Sequence, residues 1–143
     1  MRVITIFFVM TLLSAGVHAQ KPPVAVPEPA AKTISTGYPA ASELKWTEKN
    51  GRYKADFKVG KTDHKVWMDG TGAVLKHEYE IKKAELPKLI QEAVLKDFAG
   101  YTIGDCEKTE EKNVATYKVE LKNAQGKKKV DFTSEGKVIE KKK

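Results

Sequence analysis

The side chains that could do chemistry in this sequence are few and lie far apart. After residue 20 the chain contains two histidines, His64 and His77, and one cysteine, Cys106. A zinc site needs three or four converging ligands, so these residues do not predict a metal site. No serine or cysteine stands in a Gly-x-Ser-x-Gly nucleophile elbow. The sequence therefore predicts a protein without enzymatic activity and without a cofactor.

Two other chemical features have structural interpretations. The segment Asp69-Gly70-Thr71-Gly72 lacks the alternating oxygen ligands of a calcium loop, which favours a tight turn. Cys106 is the only cysteine, so no disulfide can form within the chain. Because a free cysteine packs like a small apolar side chain, we interpret Cys106 as a core or half-buried residue.

The chain is basic, with a formal net charge of +7 that comes almost entirely from lysine. Acidic residues are interleaved with the lysines through most of the chain, and only residues 127–129 and 141–143 form lysine clusters. This alternation is typical of the solvent-exposed side of strands, whereas nucleic-acid binding requires a concentrated basic patch. We therefore expect no nucleic-acid partner.

The N-terminal segment 1–19 has the pattern of a signal peptide. Arg2 precedes an apolar run at 3–13, and small residues lead to Ala19, which is the order of a secretory signal with its cleavage site. The run is shorter than the roughly 20 apolar residues that span a bilayer, and no cysteine follows the cleavage site to carry a lipid. We expect a periplasmic or secreted protein that is not a lipoprotein and is not stably inserted in the membrane after cleavage.

Four prolines follow the predicted signal peptide, at positions 22, 23, 27 and 29. Each proline ring fixes its own φ and disfavours the helical region for the preceding residue. We therefore predict an extended Pro-rich tether at 20–37. A proline-rich docking motif is the alternative interpretation of this segment.

The rest of the chain contains an internal repeat. Residues 53–76 align without a gap on residues 117–140. Identical residues fall 64 positions apart, among them Tyr53 and Tyr117, Val66 and Val130, and Gly72 and Gly136. A repeat of this kind indicates that one supersecondary unit occurs twice.

Hydrophobic periodicity predicts the elements of each repeat. Tyr53, Ala55, Phe57 and Val59 alternate with polar residues, as expected for a half-buried strand, and Asn50-Gly51 predicts a hairpin before them. Residues 85–99 carry an amphipathic stripe of apolar residues at helical spacing: Leu86, Ile90, Ala93, Val94 and Phe98. We predict an α+β fold of two tandem antiparallel sheets of about four strands each, at 38–81 and 101–141. One main helix between them packs on the sheet.

Several segments together resemble the PepSY-like family related to β-lactamase-inhibitory protein. The resemblance covers residues 38–139 and rests on the order of these segments: Tyr38-Pro39-Ala40 with Trp46, residues 50–57, Asp69-Gly70-Thr71-Gly72, Leu86-Pro87, Tyr101-Thr102-Ile103, residues 117–121 and residues 136–139.

This resemblance implies a PepSY-like domain at 38–143 in an exported bacterial protein, with helices on one face of antiparallel sheet. It implies a binding or inhibitory role, against hydrolases for example, without chemistry of its own. The family places a helix before the aromatic-Pro pair. Here that stretch belongs to the predicted tether, so we expect the first repeat to lack a full helix.

One aromatic residue departs from the repeat. Val66 and Met68 fall on the apolar side with their counterparts, which places Lys65, Trp67 and Asp69 on the polar side, and the counterpart of Trp67 is Asp131. A tryptophan on the polar side of a sheet is typical of a binding hot spot. We therefore name Trp67, Lys65 and Asp69 as candidate protein-binding residues; the alternative is that Trp67 is covered or packs over lysine stems.

Two functions follow from these observations. The first is an exported, non-catalytic module that binds an envelope or secreted protein, with inhibition of a hydrolase as one form of that role. The second is a periplasmic carrier of a small apolar ligand, held in a groove lined by Trp46, Tyr79 and Phe98.

Overall fold

The computed structural model describes residues 24–140, which form one seven-stranded antiparallel sheet with two helices. The strands lie in the sheet in chain order, each paired with the next. They are β1 (Ala41–Lys49), β2 (Arg52–Val59), β3 (Thr62–Asp69), β4 (Val74–Ile81), β5 (Thr102–Glu111), β6 (Val114–Asn123) and β7 (Gly126–Thr133). The helices are α1 (Glu28–Gly37) and α2 (Lys88–Asp97), and a short 3-10 helix, Lys83–Glu85, precedes α2.

The predicted signal peptide at 1–19 lies outside the described residues and stays a prediction. Within 24–140, no helix combines the length and the apolar character needed to cross a membrane.

The prediction of two tandem sheets is wrong, because β4 pairs with β5 and joins both repeats in a single sheet. Lys76 lies opposite Glu111 across this junction, and a cross-strand pair of opposite charges favours the pairing. Up to residue 140, the second repeat also has three strands instead of the predicted four. In the described residues, its segment after β7 makes an isolated bridge between Val138 and Phe132.

The extended conformation predicted for the tether is wrong from Glu28 onward, because residues Glu28–Gly37 form α1. Pro27 is the N-cap and Pro29 lies in the first turn, where a missing backbone N–H removes no helical hydrogen bond. Ala30 and Ile34, one turn apart, are fully buried. The first repeat therefore has its own helix, and the predicted single main helix is one of two α-helices in residues 24–140.

The 64-residue repeat is visible in the strand register. Tyr53 pairs with Met68 in the first half, and Tyr117 pairs with Phe132 in the second. A glycine with positive φ, Gly72 or Gly136, lies in the turn after β3 and in the turn after β7. A Cβ atom on Gly72 would lie 2.6 Å from the carbonyl oxygen of Pro29 in α1, and a Cβ atom on Gly136 would lie 2.5 Å from that of Leu89 in α2. Each turn thus holds the N-terminal part of its helix in the same way.

In the part of the chain that the structure describes, the core consists of two apolar clusters with no common member. The first cluster joins α1 to β2 and β3 through Ala30, Ile34, Ala55, Phe57, Val66 and Met68. The second cluster joins α2 to β5, β6 and β7 through Leu86, Ile90, Val94, Cys106, Tyr117, Val119, Leu121 and Phe132. The predicted helical stripe and the predicted burial of Cys106 are confirmed. Between the two clusters, His77 and Tyr79 on β4 and their partners Glu110 and Lys108 on β5 lie on the helix side of the sheet.

Candidate functional site

Each strand exposes every second side chain on the face of the sheet opposite the helices. We call this surface the open face. Many of its charged residues have a neighbour of opposite sign. Ten of its central residues are Lys54, Asp56, Lys65, Trp67, Lys76, Glu78, Glu107, Lys118, Glu120 and Lys122.

Trp67 lies on the open face, half-buried between two lysines of the neighbouring strands. It pairs with Lys54 on β2 and with Lys76 on β4. The amine of Lys76 lies 4.5 Å from the centre of the Trp67 ring, and that of Lys54 lies 5.9 Å from it. Both distances are within the range of cation–π contacts. Trp67 is therefore packed against lysines and at the same time belongs to the surface that no helix of the described chain covers.

Lys65 belongs to an ion-pair network at the centre of the open face. Its Nζ donates a 2.8 Å hydrogen bond to Glu78 Oε1, and Lys76 Nζ donates a 2.9 Å hydrogen bond to the other oxygen of Glu78. Burial alone would raise the pKa of Glu78, but these two hydrogen bonds lower it to about 2. The same hydrogen bond to Glu78 is the main cause that raises the pKa of Lys65. The network keeps this part of the face charged and fixed.

Asp69 lies at the end of β3 and stabilises its own turn. Its Oδ1 accepts hydrogen bonds from the Thr71 backbone N–H at 2.8 Å, the Thr71 hydroxyl at 2.6 Å and the Ala73 N–H at 3.2 Å. The bonds from Thr71 hold the pKa of Asp69 below its ordinary value. One oxygen of its carboxylate is therefore engaged by the turn, whereas Lys65 and Trp67 lie side by side on the face.

Sequence reasoning missed a groove beside Trp67. This groove of about 800 Å³ runs along the β1–β2 hairpin on the open face and is lined by Thr47, Glu48, Lys49, Asn50, Arg52, Lys54 and Trp67. We call it the hairpin groove. The alternation that placed Trp67 outward also places Lys49, Arg52 and Lys54 on its side of the sheet, so the signal was present in the sequence.

The interpretation of His64 and His77 as scattered residues is wrong. His64 Nδ1 lies 3.1 Å from His77 Nε2, which makes a hydrogen bond between the two rings. The pair lies on the helix side of the sheet, where His77 stacks on Tyr79 at 4.5 Å and the Tyr38 hydroxyl lies 3.4 Å from His77 Nδ1. Burial, with the charge of His64 as a further cause, lowers the pKa of His77 to about 4.

The described residues group neither the ligands of a metal site nor the three aromatic residues of the predicted apolar groove. Among residues 24–140, no three His, Cys, Asp or Glu side chains are grouped so as to hold a metal ion. The three aromatic residues of the predicted apolar groove belong to separate packing groups. Trp46 packs on the first cluster, Phe98 packs on the second, and Tyr79 stacks on the histidine pair between them.

Known protein structures share this fold. A BLIP-like protein from Bacteroides fragilis superposes with a TM-score of 0.63 at 24% identity, over 87% of this chain and 88% of its own. A DUF2874 family protein from Bacteroides uniformis gives a TM-score of 0.65 at 23% identity, over 80% of this chain and 87% of its own. A Bacteroides eggerthii protein, provisionally described as periplasmic, gives 0.66 at 18% identity, over 80% and 86% of the two chains. No family model and no curated protein sequence matches the chain.

Proposed function

We propose that this protein is an exported, non-catalytic module that binds another protein of the cell envelope, or a secreted one, through its open face. The observation that carries the proposal is the position of Trp67, half-buried among ordered ion pairs on a sheet face that neither helix covers. Tryptophan surrounded by groups that exclude water is typical of binding hot spots. The fixed lysine–glutamate network supports the proposal, because an ordered surface loses little conformational freedom on binding.

The comparisons support the same proposal at a coarser level. The BLIP-like and periplasmic descriptions belong to proteins of the same fold, and they agree with the export that the segment 1–19 predicts. We propose on this basis that the chain belongs with the PepSY-like proteins related to β-lactamase-inhibitory protein. Inhibition of an envelope or secreted hydrolase is the specific form of binding that follows from that relationship.

Site-specific photo-crosslinking followed by binding measurements tests this function. A crosslinking residue at Thr116, on the open face, would be compared with one at Leu95, which is 78% exposed on α2. The proposal predicts that an envelope protein is captured from Thr116 and not from Leu95. The captured protein is then purified, and its affinity is measured by calorimetry.

Two variants provide a matched comparison, because each removes a large apolar side chain from a different surface. Trp67→Ala should weaken the binding of the purified partner by about tenfold or more, and Leu95→Ala should leave it unchanged. Equal effects of the two variants, or capture from Leu95 alone, would contradict binding through the open face. If the partner is a hydrolase, its rate with and without the protein tests inhibition.

A further inference from the structure

Several charges at the centre of the open face form ion pairs, whereas two cations of the hairpin groove, Lys49 and Arg52, do not. Lys54 lies 2.9 Å from Asp56, Lys65 lies 2.8 Å from Glu78, and Lys118 lies 2.6 Å from Glu107. Within residues 24–140, by contrast, no carboxylate lies within 4.0 Å of the side-chain nitrogens of Lys49 or Arg52.

The carboxylates nearest the groove in sequence are already bound. Glu48 accepts a 2.8 Å hydrogen bond from the Gly51 N–H in the hairpin turn. Asp69, which pairs with Arg52 in the register, is held by the three hydrogen bonds of its own turn. Lys49 and Arg52 therefore line the groove without an ion-pair partner, and the indole ring of Trp67 lines it with them.

We infer that the hairpin groove binds an acidic, extended segment of a protein partner. This inference rests on the proposed function and specifies the chemistry of the surface that the partner presents. Lys49 lies opposite Arg52, and Lys54 follows Arg52 by two residues on the same face, a spacing of about 7 Å along a strand. In an extended polypeptide, carboxylates at alternate positions repeat at the same spacing of about 7 Å.

The indole ring favours a polypeptide over a nucleic acid. The groove offers few positive charges, so binding must combine ion pairing with packing against Trp67. An apolar side chain placed between carboxylates supplies that packing. Duplex DNA presents closely spaced phosphates and keeps its bases stacked inside, so its binding depends on phosphate neutralisation over a longer basic surface.

Fluorescence anisotropy with defined probes tests the inference. The probe is fluorescein-labelled Glu-Thr-Glu-Thr-Leu-Thr-Glu, which puts its acidic and leucine side chains on one side when extended. The same peptide with lysine in place of glutamate and a fluorescein-labelled DNA duplex are the comparison ligands. We expect the acidic peptide to bind and the basic peptide not to bind. Raising the salt concentration from about 20 mM to about 200 mM should weaken binding severalfold, because screening reduces the ion-pair contribution.

Matched variants separate the groove from the overall charge of the protein. Lys49→Gln with Arg52→Gln should weaken peptide binding by about tenfold, and Trp67→Ala should do so as well. Lys127→Gln with Lys129→Gln removes the same charge from the edge strand β7 and should change the affinity by less than about twofold. Circular dichroism spectra should show that all three variants remain folded, since every substituted side chain is at least partly exposed.

Several outcomes would overturn the inference. They are equal weakening by the two double variants, tighter binding of the duplex than of the acidic peptide, and no saturable binding of the peptide up to about 1 mM. Failure here is distinguishable from failure of the proposed function. A purified partner that depends on Trp67 but binds equally to the Lys49/Arg52 double variant would leave binding through the open face intact and refute the acidic segment.

Discussion

The histidine pair between the helices makes the stability of the protein depend on pH. His77 is only 13% exposed, and it faces His64 on β3, Tyr38 after α1, Tyr79 on its own strand, and Glu110 on β5. Lys108 lies nearby on β5, and its positive charge also disfavours protonation of His77. Burial is the main cause that lowers the pKa of His77, and the charge of His64 adds to it. Together they outweigh the opposite effect of Glu110, so this pKa falls from 6.5 to about 4.

The sign of the pH dependence follows from this lowered pKa. The unfolded chain takes up a proton on His77 as the pH falls through 6.5, whereas the folded protein does so only near pH 4. Between these values the unfolded state binds more protons, so the free energy of unfolding decreases as the pH falls. The full effect of His77 amounts to about 3 kcal/mol, of which about 2 kcal/mol is lost between pH 7 and pH 5.

Urea denaturation at pH 7 and pH 5, followed by circular dichroism, measures this loss. Carboxylates contribute little in this range, since the ordinary pKa of glutamate is 4.5 and the pKa of Glu78 is lowered to about 2. His77→Phe keeps a ring at this position and should remove most of the pH dependence of stability. Burial also lowers the pKa of His64, so a smaller dependence of the same sign should remain in this variant. A loss below about 0.5 kcal/mol in the natural protein, or an equal loss in His77→Phe, would refute the reasoning.

Three further predictions concern stability, each measured by urea denaturation at pH 7. Gly136→Ala should lower the free energy of unfolding by about 2 kcal/mol or more, because its Cβ would collide with the backbone of α2. A Cβ at Gly37 would meet no atom within 4 Å, so Gly37→Ala should cause a smaller loss. Similar losses in the two variants would contradict the close contact at Gly136. Glu78→Gln should lower it by about 2 kcal/mol, because the lysines on either side lose their charged acceptor. The more exposed Glu43→Gln should change it by less than about 0.5 kcal/mol, and an equal effect of both would speak against the network. Phe132→Ala should lower it by about 3–5 kcal/mol through the cavity it leaves, and a loss below about 1 kcal/mol would show that the second cluster does not depend on this ring.

Local patterns in the sequence were sufficient to predict the seven strands and α2, but the fourth strand predicted for the second repeat is not formed in the described residues. Period-two alternation located β2 and its counterpart β6, and the apolar stripe located α2, because in each case one face of a single element is buried. The outward position of Trp67 followed from the same alternation.

Features that depend on contacts distant in the chain were missed. The four prolines led to the prediction of an extended segment where α1 forms. Local conformational preferences do not include the burial of Ala30 and Ile34 on the sheet, which stabilises this helix. The pairing of β4 with β5 joins segments separated by α2, and nothing within either repeat specifies it. The contact between His64 and His77 depends on the register of β3 against β4. This register shifts between Trp67 and Met68, and the alternation of apolar and polar residues does not predict it.

The division of the core into two apolar clusters has a consequence for how the protein opens. Each cluster stabilises one helix and its own strands. The two halves are joined mainly by the β4–β5 pairing and by Ile81 of β4, which packs against the second cluster. Amide hydrogens should therefore exchange with solvent in two cooperative groups, and a core substitution in one half should accelerate exchange mainly there. We therefore expect a molecule whose seven strands form one continuous sheet to unfold as two linked units.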